Sequence, residues 1–301
     1  MSNESKKMLL VGDNPFHGIS HLSQERARVR GDAITHAEYA AKLVMTSLEN
    51  GANGFMFSVS DMTLSILRMI REAGGSERLR LYAIVPYAYE YVRLVTQIGV
   101  LGLAKNFAKQ IAVSGNVRAV AMGLKGVIRT DPVALMKTYL TYEISRIKSS
   151  AGKQANLDAV LLHEIIADMA VALDLDWLFK SYVDFMLKRG IKPAFNTRNF
   201  TYLVNKFREW NIDLREIIIA TPFNKVGFQM NPSRTECEKV LANIPEPNVI
   251  AISILAAGYL KPPEAINYVR SLPNLKGVVV GVSKEVHARE TFKLLKEKLE
   301  R

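Results

Sequence analysis

Short apolar runs alternate with helix-like segments along the whole chain, and this order constrains the possible folds more than any other feature of the sequence. The runs at 9–12, 159–162 and 217–220 are Leu-Leu-Val-Gly, Ala-Val-Leu-Leu and Ile-Ile-Ile-Ala. Strands have such unbroken apolar sequences when helices cover one face and a core covers the other. The pattern predicts strands at 8–13, 54–59, 80–85, 117–123, 159–163, 192–196, 216–221, 249–254 and 277–282.

The segments between these runs carry the sequence signals of helix starts. Asp131-Pro132 places a capping residue before a proline at the first helical position. Ser233 with Glu236 forms the pattern of a capping box. Because strands and helices alternate, we expect the strands to form one parallel sheet.

These observations predict an α/β fold in a single domain over residues 1–301, since no linker-like change in composition divides the chain. The expected architecture is a TIM (β/α)8 barrel with an extra N-terminal strand at 8–13, beside or beneath the barrel. The alternative is that one of the later strand predictions is wrong. A doubly wound open sheet is a further possibility, but no G-x-G-x-x-G motif follows the first strand.

The composition is typical of a soluble globular protein, with 301 residues of which 49% are hydrophobic and 23% are charged. The single cysteine, Cys237, excludes an internal disulfide. No run approaches the roughly 20 apolar residues that span a bilayer, and the run at 8–11 is too short for a signal-peptide core. We therefore expect a cytoplasmic protein with no membrane association, either a monomer or a homo-oligomer.

The net charge of +11 indicates a solvated basic surface, and a small anionic ligand is the second interpretation. Lysine and arginine are spread along the chain and form no block with interleaved aromatic residues, so the sequence does not indicate a nucleic-acid partner. No H-x-H or H-E-x-x-H pattern is present, and we expect no metal.

Catalytic residues in such barrels lie at the carboxyl ends of the strands. His163 and Glu164 follow an apolar run, and an imidazole there can polarise a carbonyl or relay a proton, because its pKa lies near working pH. Alternatively, His163 bonds a backbone partner and holds a loop. Lys125, near the end of the 117–123 run, can act as a base, a nucleophile or an anion ligand, or be an exposed loop residue. We predict these three residues as catalytic.

The other polar residues at the strand ends are predicted to bind ligands. Amide and guanidinium groups suit a carboxamide, carboxylate or phosphate, although asparagine also bonds its own backbone in turns. The expected substrate-binding residues are Asn14, His17, Ser58, Asp61, Asn196, Arg198 and Asn224. A late turn contains Gly281, Ser283 and Lys284 before the last helix, and free N–H groups at a helix start can bind a phosphate. The alternative is that Ser283 caps the helix.

Four segments resemble the aldo/keto reductase superfamily. Residues 157–163 (Leu-Asp-Ala-Val-Leu-Leu-His) are similar to the strand that ends in the family's active-site histidine. Residues 50–55 resemble the family's Gly-Ile-Asn strand entry, and residues 252–260 resemble its strand with Ser-Pro-Leu-Ala. Residues 281–287 resemble the late turn that helps to hold the NADP phosphate, so the resemblance implies that Gly281, Ser283 and Lys284 bind the cofactor. The resemblance is to an outlying branch, because the stretch 55–62 has neither the family's aspartate in register nor its tyrosine.

The resemblance implies an NADP-dependent oxidoreductase that acts on a small carbonyl compound, with His163 as the one member of the family's catalytic tetrad that carries over. The family's lysine ends the next strand, where this chain has Val85-Pro86. Tyr87, Lys125 or water would then supply the proton. Two alternatives stay open, because one fold hosts many activities. One is a lyase or isomerase for a phosphorylated or carboxylated substrate, and the other is a non-catalytic binding protein.

Overall fold

A closed barrel of eight parallel strands organises the part of the chain that the structure describes. The structure is a computed structural model, and it describes residues 7–17, 36–75, 79–86, 131–244 and 248–300. Neighbouring strands pair in chain order, and the last pairs with the first. The strands are β1 (Met8–Gly12), β2 (Gly54–Ser58), β3 (Arg80–Val85), β4 (Asn156–Leu162), β5 (Lys192–Asn196), β6 (Ile218–Pro222), β7 (Val249–Ile252) and β8 (Leu275–Gly281).

Helices surround the barrel and lie between successive strands along the chain, as in a TIM (β/α)8 fold. The predicted fold class is therefore confirmed. Two helices follow β4, and short 3-10 turns follow β1 (Asn14–His17) and β7 (Ala256–Gly258). The helices are α1 (Ala37–Glu49), α2 (Asp61–Glu72), α3 (Pro132–Ala151), α4 (Glu164–Ala172), α5 (Asp176–Leu187), α6 (Phe200–Glu209), α7 (Arg234–Ala242), α8 (Pro262–Ser271) and α9 (Glu285–Leu299).

The position predicted for the first strand needs a correction, because β1 is part of the barrel rather than an addition to it. It pairs with β2 on one side and with β8 on the other, from Met8 opposite Gly277 to Gly12 opposite Gly281. All five residues of β1 are buried, which fits a strand covered on both faces. β3 pairs directly with β4, and the strand predicted at 117–123 lies outside the described residues.

The barrel strands face two separate cores. Met8 and Leu10 of β1 belong to the cluster that fills the barrel, whereas Leu9 and Val11 pack in the layer between the barrel and the helices. This alternation follows from the two-residue period of a strand. Each large apolar side chain that is fully buried in these layers stabilises the fold by about 1.5–3 kcal/mol.

Aromatic packing fixes the strand that leads into one of the predicted site segments. Phe195 of β5 contacts Phe179 of α5 and Phe207 of α6, with ring centroids 5.5 and 4.9 Å away. Phe179 and Phe207 also meet edge to face at 5.1 Å. Asn196, the last residue of β5, therefore follows a well-packed aromatic residue.

Side-chain caps start several of the helices at the predicted places. The Asp131 carboxylate accepts hydrogen bonds from the N–H groups of Val133 and Ala134, and Pro132 occupies the first turn of α3. Ser233 caps α7. Among the described helices, none combines the length and the apolar character that crossing a bilayer requires.

Candidate active site

A large pocket opens at the carboxyl ends of the strands, with a volume of about 740 Å³. Pockets that bind small molecules and cofactors have volumes of roughly 300–1,000 Å³. This pocket extends from the ends of β1, β2, β4 and β5 to the loops after β7 and β8 and the first turns of α9. The sequence-predicted residues that line it are Asn14, Ser58, His163, Glu164, Asn196, Arg198, Gly281 and Ser283.

His163 links the end of β4 to the start of α4. Its backbone precedes the first helical residue, and its Nδ1 accepts a hydrogen bond from the N–H of Ile165 at 3.2 Å. The predicted backbone partner therefore exists, but it uses one ring nitrogen only. Because Nδ1 is an acceptor, the neutral ring carries its proton on Nε2. The second nitrogen can then donate to a ligand, since His163 lines the pocket.

Burial lowers the pKa of His163 below its ordinary value of about 6.5. The nearby Arg198 guanidinium acts in the same direction, while the carboxylates of Glu164, Asp13 and Asp168 oppose it. Because the net shift is downward, the imidazole is neutral at pH 7. A neutral imidazole is suited to donating a hydrogen bond to a carbonyl oxygen without introducing a charge.

Asp168 of α4 organises the turn that follows β5. Its carboxylate accepts hydrogen bonds from the Thr197 hydroxyl, the Arg198 N–H at 3.2 Å and the Asn199 side-chain amide at 3.0 Å. The Arg198 guanidinium forms an ion pair with Glu164, 2.5 Å between Nη2 and Oε1. These contacts tie the ends of β4 and β5 together and set the direction of Arg198 on the pocket wall.

Asn196 holds an unsatisfied hydrogen-bond acceptor at the pocket wall. The residue is only 8% exposed, and its amide oxygen has no hydrogen-bond partner among the described residues. A buried acceptor without a donor costs about 1–3 kcal/mol. Such a cost is typical of a ligand site, where the missing donor belongs to the molecule that binds.

Asp13, which the sequence analysis did not select, supplies a buried carboxylate to the pocket wall. Its Oδ2 accepts the N–H of Ser58 at 2.7 Å and lies 3.1 Å from Nε2 of His17. The sequence signal was present, since an aspartate directly follows the apolar run of β1. The predicted strand runs to residue 13, so Asp13 counts there as part of the strand and only the later residues Asn14 and His17 are selected, whereas β1 ends at Gly12.

Three of the predicted substrate-binding residues lie away from the pocket lining. Asp61 begins α2 with its side chain 85% exposed, and it pairs with Arg146 at 2.6 Å. Asn224 is buried and holds its own loop, because its amide bonds the backbone N–H and carbonyl of Phe228, both at 2.8 Å. His17 contacts Asp13 instead of lining the pocket.

Two further predicted residues, Lys284 and Lys125, are not part of the observed lining. Lys284 is exposed at the start of α9, and its side chain does not cap the helix. Lys125 lies outside the described residues, as does Tyr87. Within the described ranges, no group of three or more His, Cys, Asp or Glu side chains is arranged to hold a metal ion.

The other end of the pocket lies against β8 and α9. At Gly281, an added Cβ would be 2.8 Å from the Pro15 ring, so glycine allows the turn after β1 to pack against β8. Ser283 follows, and the backbone then enters α9. Lys261, His287 and Glu290 also line this end. The start of a helix with Lys261 and His287 suits a phosphate-bearing ligand, while the Glu290 carboxylate at the same end disfavours a second phosphate there.

Comparison with known proteins finds likeness at the level of structure only. No protein-family model matches the sequence, and no curated protein matches it. Two solved structures, both presented as a candidate aldo-keto reductase from Pseudomonas aeruginosa, superpose with TM-scores of 0.59 and 0.60 at 12% identity. Each match covers 97% of this chain and 90% of the other.

This likeness confirms the resemblance to aldo-keto reductases at the level of the fold. The barrel that the sequence predicts is the barrel that these proteins share, over nearly the whole chain. An identity of 12% does not carry an activity from one protein to another, because the same barrel supports many chemistries. The chain is thus a closed (β/α)8 barrel whose architecture is similar to that of aldo-keto reductases.

Proposed function

We propose that the protein is an oxidoreductase that reduces a small carbonyl compound, or oxidises the corresponding alcohol, with a nicotinamide cofactor. The observation that carries this proposal is the state of His163. Its Nδ1 is occupied by the Ile165 N–H and its pKa is lowered, so a neutral Nε2–H donor is available at a large pocket.

The residues present fit a nicotinamide dinucleotide, by two observations. The buried Asn196 oxygen has no donor among the described residues, and the carboxamide of a nicotinamide carries one. At the other end of the pocket, Ser283 and the start of α9 would meet a phosphate. When bound, the nicotinamide supplies the hydride that reduces a carbonyl, or accepts it in the reverse direction.

His163 would hold the carbonyl oxygen of the substrate through Nε2–H. As negative charge develops on that oxygen, the hydrogen bond strengthens, and this favours the transition state over the ground state. The Ile165 N–H keeps the ring in the required tautomer and direction. The proton that the oxygen must gain is predicted to come from Tyr87, Lys125 or water.

The first test is a titration of the purified protein with NADPH and NADP, followed by nicotinamide fluorescence or heat. We expect saturable micromolar binding. Ser283→Glu should weaken it at least tenfold, because a carboxylate would face the cofactor phosphate. Ser65→Glu is the matched control, since Ser65 lies on α2 away from the pocket. NADH should be titrated in parallel, because the Glu290 carboxylate lines the same end and disfavours an extra phosphate.

Absence of binding up to millimolar cofactor would overturn the nicotinamide proposal. An equal loss of affinity in Ser283→Glu and Ser65→Glu would show that the cofactor phosphate does not bind at the start of α9. If no cofactor binds, thermal stabilisation by phosphorylated metabolites would test the lyase or isomerase alternative. Saturable binding would justify a screen of carbonyl substrates at fixed NADPH.

A further inference from the structure

The Asp13 carboxylate stands at the pocket wall without a role in the function proposed above. Its side chain is 5% exposed, and it belongs to the turn that Pro15 packs against Gly281. A buried carboxylate is unfavourable unless its charge is used or compensated. The Ser58 N–H and the His17 imidazole provide part of this compensation.

The contacts of Asp13 are confined to one of its two oxygens. The Ser58 N–H and His17 Nε2 both reach Oδ2, and no hydrogen bond from the described part of the chain reaches Oδ1. Holding the Ser58 N–H requires one acceptor, which a neutral asparagine would also provide. Among the described contacts, Oδ1 is therefore the carboxylate oxygen that remains for a group in the pocket.

The charges around Asp13 indicate which chemical group of a ligand would bind there. Arg198, the guanidinium on the described wall, is already paired with Glu164. A substrate carboxylate near Asp13 would face a like charge in a partly dehydrated pocket, which is strongly unfavourable. A hydroxyl or ammonium group would instead donate a hydrogen bond to Oδ1.

We infer that Asp13 determines substrate specificity by accepting a hydrogen bond, through Oδ1, from a hydroxyl or ammonium group on the substrate whose carbonyl His163 holds. This rests on the proposed function for the carbonyl. It adds that the substrate carries a hydrogen-bond donor beside its carbonyl and that 2-oxo acids are rejected. Asp13 thereby disfavours carbonyl compounds that carry a carboxylate beside the carbonyl.

The test uses four ketones that share a methyl-ketone frame and differ in one substituent: hydroxyacetone, aminoacetone, butanone and pyruvate. With wild-type protein and NADPH, kcat/KM for hydroxyacetone or aminoacetone should exceed that for butanone at least tenfold, with pyruvate lowest. The two donor-bearing ketones tell a hydroxyl preference from an ammonium preference. Equal values for butanone and the donor-bearing ketones would overturn the inference and leave the proposed function intact.

Asp13→Asn tests the residue directly. Its amide oxygen can keep the Ser58 N–H, so its NH₂ would face the pocket and an acceptor becomes a donor. The preference for the donor-bearing ketones over butanone should fall at least tenfold, and pyruvate should gain relative to butanone. Asp168→Asn is the matched control, because Asp168 also acts on His163 but does not line the pocket. It should leave the ratio between the donor-bearing ketones and butanone unchanged, whatever it does to the absolute rate.

An unchanged ratio in Asp13→Asn would overturn the inference. If no ketone is reduced at all, the proposed function fails, and ligand binding then tests Asp13 by itself. Saturation-transfer NMR with hydroxyacetone and aminoacetone should show contact with the wild type that Asp13→Asn loses. Equal signals from the two proteins, or no signal from either, would again overturn the assignment.

Discussion

Both ends of the barrel carry buried polar side chains, but these side chains differ in how many of their hydrogen-bonding atoms have partners. At the amino-terminal end, Asp158 accepts the Tyr82 hydroxyl at 3.0 Å and also contacts Arg80 and Asn156. At the carboxyl-terminal end, the Asn196 oxygen has no partner among the described residues, and the contacts of Asp13 use one oxygen. Asp158 is thus bonded on both carboxylate oxygens, whereas Asn196 and Asp13 each keep one oxygen without a partner among the described residues.

This difference indicates which end is built for stability and which for a ligand. A buried polar group that is fully bonded inside the protein strengthens the fold, whereas one left unbonded weakens it until a ligand arrives. Barrel proteins divide stability and chemistry between their two ends in the same sense. Substitutions at the two ends should therefore separate loss of activity from loss of stability.

The largest effect is expected at the carboxyl-terminal end of the barrel, for His163→Asn. Asparagine is a favourable helix cap, so α4 should keep its start while the Nε2–H donor is lost. We expect kcat/KM for the preferred ketone to fall about 100–1,000-fold, as when one oxyanion donor is removed. The melting temperature should stay within about 2 °C of the wild type.

His36→Asn is the matched control for this variant. His36 also precedes a helix, α1, but it is exposed and its side chain makes no cap hydrogen bond. Activity should be unchanged. A comparable loss of kcat/KM in His163→Asn and His36→Asn, or a large loss of stability in His163→Asn, would break the division between the two ends.

The second effect concerns the amino-terminal end, through Asp158→Asn. The amide loses the charge that binds Arg80 and brings an NH₂ toward the Asn156 amide, so the free energy of unfolding should fall by about 2 kcal/mol. Denaturant unfolding measures this, and kcat/KM per folded molecule should not change. Asp213→Asn, in an exposed pair with Arg215, should leave the unfolding curve where it was. Reduced kcat/KM in folded Asp158→Asn protein would show that the two ends are coupled.

The smallest effect is a pH dependence of stability and of kcat/KM that arises from His163 at the carboxyl-terminal end. Because the pKa of folded His163 is below its unfolded value of about 6.5, the unfolded chain binds the proton first as pH falls. The His163 contribution to stability is therefore present above about pH 6.5 and is lost as pH falls toward the folded pKa. The kcat/KM profile should have an acid limb with its midpoint below 6.5, since protonation also removes the Nδ1 acceptor.

The pH profile of His163→Asn checks this assignment. If the limb arises from His163, the residual activity of the variant should lose it. A limb that persists with the same midpoint would assign the titration to another group. The Tyr82 hydroxyl should add nothing in this range, because burial raises its pKa above its ordinary, already alkaline value.

The sequence predicts the barrel well because its signal is repeated along the chain. Each strand is a short apolar run, and helix signals such as Asp131-Pro132 separate the runs. What it does not reveal is which runs pair. The apolar stretch at 117–123 raised the count to nine, and periodicity contains no information about closure between β1 and β8. Closure depends on contacts between residues more than 260 positions apart.

The candidate site is predictable where a residue directly ends a strand and less so one turn later. His163 and Asn196 follow apolar runs and line the pocket. Asp61 and Asn224 look equivalent in sequence, but local bonding determines their positions: one begins a helix, and the other bonds Phe228 within its own loop. Such choices depend on hydrogen bonds that strand periodicity does not encode.

The pairing of Met8 with Gly277 also determines when the pocket can exist during biosynthesis. At about 5–20 residues per second, a ribosome needs roughly 10–50 s to make the chain between these two positions. Throughout that interval the apolar β1 has an open edge on the side that β8 will occupy, and such edges are sites of aggregation. The packing of Pro15 against Gly281 likewise forms only after Gly281 has been synthesised. The nascent chain would therefore gain its ligand site only after β8 has left the ribosome.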